Sequence, residues 1–138
     1  MGALLAGRAI APGSVTAEVV VLEEPLSLWG GLDPATGEVM EPRHPQLGVS
    51  LAGRVVVMTE ARGSSSSSSV LAESARAGVA PAGIVLGSPD LILAIGAAVA
   101  QELYRVQIPV VVLAPADLAT LRTGDRAAMD PEGVVRIG

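Results

Sequence analysis

Apolar and polar positions divide the chain into short blocks. Val15 to Leu22 is rich in β-branched residues, holds one charge and follows the Pro12-Gly13 pair, which predicts a strand entered from a turn. Leu51 to Thr59, LAGRVVVMT, reads as a second, buried strand. After Gly63 and the serines Ser64 to Ser69, Leu71, Ser74, Ala75 and Gly78 fall at helical spacing, so Val70 to Gly78 predicts a helix that its glycine stops. Gly83 to Leu86 predicts a strand, Pro89 to Leu103 a helix, and Ile108 to Leu113 another strand. Strands alternating with helices predict parallel βαβ units packed as α/β layers. The turn Asp130-Pro131-Glu132-Gly133 lies between two short runs and predicts a closing hairpin, positioned by Asp125 of Thr123-Gly124-Asp125 bonding backbone N–H groups.

From Glu23 to Gly48 the periodicity disappears, with Pro at 25, 34, 42 and 45 and Gly at 30, 31, 37 and 48. An ordered loop of that length in a small domain predicts a functional or partner-covered segment. It holds the only Trp and the only His. Trp29 reads either as a plug at the core edge or as an interface anchor. Gly30-Gly31 suits a tight turn and Asp33 caps the turn before Pro34, or these residues and Ser27 line an active site. His44, flanked by Arg43 and Pro45, reads as a structural hydrogen-bonder.

Composition narrows the function classes. At 138 residues the chain predicts one domain over 1–138, and with 1% aromatic content its core must be built from Val, Leu, Ile and Ala. Only 17% of residues are charged, below the quarter or so typical of soluble domains, which favours a covered surface. A net charge of -5, no Lys and nine scattered Arg argue against nucleic acid. The absence of Cys excludes disulfides, a thiolate nucleophile and an iron–sulfur cluster ligated by this chain. Leu91 to Ala100 is roughly half the length of a membrane helix and the first residues lack a basic lead, so no membrane contact and a cytoplasmic location are expected.

The serine run has a bland reading as a Gly-Ser linker. A buried-type strand before it and a helix directly after it leave little chain to act as one, which favours a strand-to-helix turn. There Gly63 permits close backbone approach, and the free N–H groups of the first helical turn favour an anion. That anion is a bound carboxylate or phosphate, or the alkoxide of a loop serine, with Arg62 assisting by charge.

Gly63-Ser64-Ser65 after a hydrophobic strand and before a helix resembles the Gly-Ser-Ser loop of the mobile domain of aconitases. The succession EPLSLWGGLDPATGEV, HP, LAGRVVVM, RGSSSSSSVLAE, AGVAPAGIVL, IPVVVL and TGD is similar to the small subunit of aconitase X over nearly the whole chain. The resemblance implies a swivelling β/β/α domain and a heteromeric hydro-lyase whose large subunit, as partner, holds an iron–sulfur cluster. It implies Ser64 as the proton-abstracting base. Gly63, Ser65 and Arg62 beside it, with Gly30, Gly31 and Asp33 of the 23–48 segment, are expected near a small hydroxy-acid substrate. Aconitases carry an Arg two residues after that serine where this chain has Ser66, so citrate and isocitrate are not expected. Of the family's substrates, cis-3-hydroxy-L-proline is expected ahead of phosphomevalonate. Swivelling domains also serve as phosphohistidine carriers or as non-catalytic ligand-binding modules, but His44 lacks the Gly-rich lead and Ser/Thr neighbour that carriers have.

Overall fold

The computed structural model describes residues 2–138. Its strands are β1 (Ala3–Ala6), β2 (Arg8–Ala11), β3 (Val15–Val21), β4 (Val55–Met58), β5 (Gly83–Leu86), β6 (Val110–Val112), β7 (Arg126–Met129) and β8 (Val134–Ile137). Its helical segments are α1 (Leu28–Gly31), α2 (Ser67–Arg76), α3 (Leu91–Tyr104) and α4 (Pro115–Leu118).

The strands join in the order β1-β8-β7-β3-β4-β5-β6-β2. Parallel pairing is confined to β3 through β6, as expected of the βαβ units, and the remaining pairs are antiparallel. Strand β3 serves both halves, pairing with β7 over Val15–Glu18 and with β4 over Val19–Val21. Strands β1 and β2 are separated in sequence only by Gly7, yet sit at opposite ends of the order, so the sheet wraps until it nearly closes. The predicted hairpin is present as β7 and β8.

Two cores explain the apolar run in β4. Val55 and Val57 point into the space between the two β layers with Val19, Val85, Val111 and Ala127. Val56 and Met58 face the other way, onto Leu71 and Ala75 of α2 and Leu93 and Ala97 of α3. Covered on both faces, the strand is apolar at every position. The layers are therefore β, β and α.

Two helix starts and the segment 23–48 differ from the expectation. Helix α2 starts at Ser67 rather than Val70, and Ser67 and Ser74 lie on its buried face, where they hide from a hydrophobic pattern. The Ser74 hydroxyl donates to the Leu71 carbonyl at 2.7 Å, which satisfies it without water. Helix α3 starts at Leu91 with Asp90 as its cap, rather than at Pro89. The segment 23–48 is not a featureless loop: Leu26, Leu28, Leu32 and Val39 are buried in the helix-side core, and bridges Leu32↔Val39 and Glu38↔Ser50 tie it down.

Candidate functional site

The C-terminal ends of β4 and β5 release the chain at one edge of the sheet, where α/β folds collect ligands. From Met58 the chain runs through residues 59–66 into α2. Gly63 has φ +109°, and a Cβ there would lie 2.1 Å from Ser27 Oγ, so the side chain of Ser27 occupies the space that the glycine leaves. Ser64 is exposed. Its Oγ accepts from the Ser66 N–H at 3.1 Å, while its carbonyl accepts from the Ser67 N–H at 3.0 Å. Among the described residues the N–H groups of Ser64 and Ser65 make no hydrogen bond. This is the arrangement expected of a donor-rich strand-to-helix turn.

The segment Ser27 to Gly31 is packed against that turn. Trp29 (φ -69°, ψ 117°) and Gly30 (φ 80°, ψ -12°) have the angles of a type II turn, which requires glycine at its second central position. The Trp29 N–H donates to Ser67 Oγ at 3.1 Å, and Ser27 Oγ donates to the Trp29 carbonyl at 3.0 Å. The indole is 59% exposed, which rules out the plug reading; Leu26 and Leu28 fill the core edge instead.

Arg62, Gly63 and Ser64 line one notch together with Leu28, Ser67 and Asp90. Its free volume is about 10 Å³, room for one water at most. Ser65, Gly30, Gly31 and Asp33 do not line it. The Asp33 carboxylate accepts from the Ala35 N–H at 2.9 Å and its carbonyl from the Gly37 N–H at 2.8 Å, the turn-capping geometry. Asp90 and Ser67 are members that sequence reasoning did not assign to the site. An Asp ahead of an apolar run was a readable cap signal, and its Oδ1 accepts from the Leu93 N–H at 3.0 Å. Ser67 precedes Leu71 by one helical turn, a spacing that marks the buried face.

Other candidates take structural roles. His44 is buried, its Nε2 donating to the Glu24 carbonyl at 3.0 Å and its Nδ1 accepting from the Gln46 N–H at 3.1 Å. With both ring nitrogens engaged, it is the predicted hydrogen-bonder and has no free nitrogen for phosphoryl transfer. The Asp125 carboxylate accepts from the Arg122 N–H at 2.9 Å, also as expected. A roomier cavity of about 250 Å³ beside Val57, Thr59 and Leu118 is apolar and contains no ionisable group, so chemistry rather than volume locates the site. The chain's residues do not fit an iron–sulfur cluster: it has no Cys, and among the described residues no group of three or more His, Asp or Glu could hold a metal ion. Among the described residues no helix is long and apolar enough to cross a membrane.

A serine turn at the head of α2, beside a notch too small for a substrate, thus stands on a β/β/α domain. The chain belongs to the aconitase X swivel-domain family, whose model matches residues 4–137. It is 42% identical over 124 residues to the phosphomevalonate dehydratase small subunit of Methanopyrus kandleri, covering 89% of this chain and 87% of that one. It is 43% identical over 110 residues to the cis-3-hydroxy-L-proline dehydratase of Pseudomonas aeruginosa, covering 80% of this chain but only 19% of that longer protein. The crystal structure of Thermococcus kodakaraensis aconitase X in its holo form matches with a TM-score of 0.87 and 33% identity, over 99% of this chain and 98% of that one.

Proposed function

We propose that this chain supplies the proton-abstracting serine of a hydro-lyase whose remaining active-site wall, including an iron–sulfur cluster, belongs to a large subunit. The observation that carries the reading is the Ser64 turn: an exposed hydroxyl whose oxygen accepts from a backbone N–H, beside two further unbonded N–H groups, at the head of α2. An unaided serine is a poor base in water. Backbone donors and the helix dipole lower the cost of negative charge on Ser64 Oγ, and excluding water strengthens both effects. Ser64 then takes the proton from the carbon next to the substrate carboxylate, the electrons of that C–H bond enter the new double bond, and the C–O bond of the hydroxyl on the adjacent carbon breaks, its oxygen leaving as water after protonation.

Closure by a partner is supported by the site's shape and surface. The notch has no room for a substrate, and Trp29 and Leu91, each next in sequence to a lining residue, are 59% and 73% exposed apolar side chains that a second wall would cover. Ser65, Gly63 and Arg62 are the substrate contacts nearest the base; Gly30, Gly31 and Asp33 contribute through the shape of the adjoining segment.

For the substrate we favour cis-3-hydroxy-L-proline. Arg62 is the only cation lining the notch, and a phosphate monoester, with about -1.5 to -2 charge, is ordinarily gripped by more. Phosphomevalonate is the second reading, favoured by coverage: the chain spans 87% of the Methanopyrus kandleri subunit but 19% of the Pseudomonas aeruginosa dehydratase. The test is reconstitution with a cysteine-bearing large subunit, assayed on both compounds. Dehydration should require both chains and show the higher kcat/KM for hydroxyproline. A preference for phosphomevalonate reverses the substrate, and turnover by this chain alone overturns the shared site.

A further inference from the structure

We infer that Ser67 is a positioning residue that locks the Trp29 turn to the Ser64 turn, so that the exposed indole and the catalytic hydroxyl move as one unit. The inference rests on the proposed role of Ser64 for its catalytic consequence, but not for the lock itself.

Ser67 is 4% exposed in a run of serines whose other members from Ser64 to Ser66 are exposed. Its backbone N–H donates to the Ser64 carbonyl at 3.0 Å, and its side-chain oxygen accepts from the Trp29 N–H at 3.1 Å. One residue thus holds both turns. A second link lies on the far side, where Ser27 packs against Gly63 while its hydroxyl donates to the Trp29 carbonyl at 3.0 Å. The peptide groups of Trp29 are therefore fixed by two serines, each of which also touches the turn that carries Ser64. With its backbone held from beneath, the 59% exposed indole is presented to whatever closes over the notch. A shift of Trp29 is carried through Ser67 to the Ser64 carbonyl, and so to the residue that bears the hydroxyl.

The lock can be read without activity. Trp29 is the only tryptophan, so its fluorescence anisotropy reports this turn alone, and its amide can be followed by hydrogen exchange in the unaltered chain. The Trp29 amide should be protected, and Ser67→Ala should lower the anisotropy while Ser64→Ala leaves it unchanged. In the assembled enzyme Ser67→Ala should lower kcat about tenfold with KM little changed, as expected for a misplaced base, and Ser67→Thr, which keeps the hydroxyl, should restore much of the loss. An unprotected Trp29 amide in the parent chain overturns the lock even if Ser67→Ala fails to fold. A normal kcat in Ser67→Ala with a loosened Trp29 overturns its catalytic consequence. If Ser64→Ala proves active while the Trp29 amide is protected, the proposed function fails and the lock stands.

Discussion

Two strand-to-helix turns leave the same edge of the sheet, one from β4 into α2 and one from β5 into α3. They solve the problem of unsatisfied helical N–H groups differently. At α3 the carboxylate of Asp90 accepts from the Leu93 N–H at 3.0 Å, placing a full negative charge at the positive end of the helix. At α2 the cap residue Ser66 makes no side-chain cap bond, the first turn contains no acid, and the preceding hydroxyl of Ser64 accepts from Ser66. The α3 turn is electrostatically finished, whereas the α2 turn still has capacity for an anion. On the proposed function, the contrast separates a helix start built for stability from one built for chemistry.

The sharpest way to break the contrast is to remove the accepting side-chain group from each turn. Ser64→Ala should lower turnover of the assembled enzyme about 10²- to 10⁴-fold, the usual cost of losing a general base, while the melting temperature and partner binding stay near those of the parent. Gly63→Ala should come next. It places a Cβ 2.1 Å from Ser27 Oγ at φ +109°, so the turn must shift, and steady-state kinetics should show a loss approaching about 10²-fold together with about 1–3 kcal/mol lower stability in denaturant melts. Asp90→Ala should do the reverse of Ser64→Ala, costing about 1 kcal/mol of stability through the lost cap while activity is largely retained. A collapse of activity in Asp90→Ala without loss of stability would make both turns catalytic and dissolve the comparison.

The smallest effect should come from the Glu73–Arg76 pair on the outer surface of α2. The hydrogen bond from Arg76 holds the Glu73 carboxyl below its usual range, so any contribution is present above the ordinary Glu value and is lost as pH falls through the lowered one. Both groups are solvent-exposed, and Glu73→Gln should leave the melting curve unchanged at neutral pH.

How far each region could be read from sequence follows from where its information lies. The runs in β4 to β6 announce themselves because buried strands need apolar residues at every position, β3 shows itself by its β-branched residues, and the Ser64 turn is marked by the strand-Gly-Ser-helix order. Strands β1 and β2 carry no such signal. Only Leu5 of β1 is buried, and its pairing partner β8 lies at the other end of the chain. The segment 23–48 was opaque for a related reason: its buried Leu26, Leu28, Leu32 and Val39 follow a path of turns rather than a period. Ser67 was hidden by its polarity. Small hydroxyl residues satisfy their own hydrogen bonds at a helix interface, so neither hydropathy nor composition distinguishes them from an exposed serine.

Whether Ser64 Oγ receives the substrate proton is read from hydrogen exchange at the reacting carbon. The assembled enzyme is incubated with substrate in D2O, and deuterium at the carbon beside the carboxylate is followed alongside dehydration. Parent enzyme should exchange or eliminate that hydrogen, whereas Ser64→Ala, with its partner bound and its fold intact, should do neither. Exchange at the parent rate in Ser64→Ala would place the base elsewhere and contradict the account.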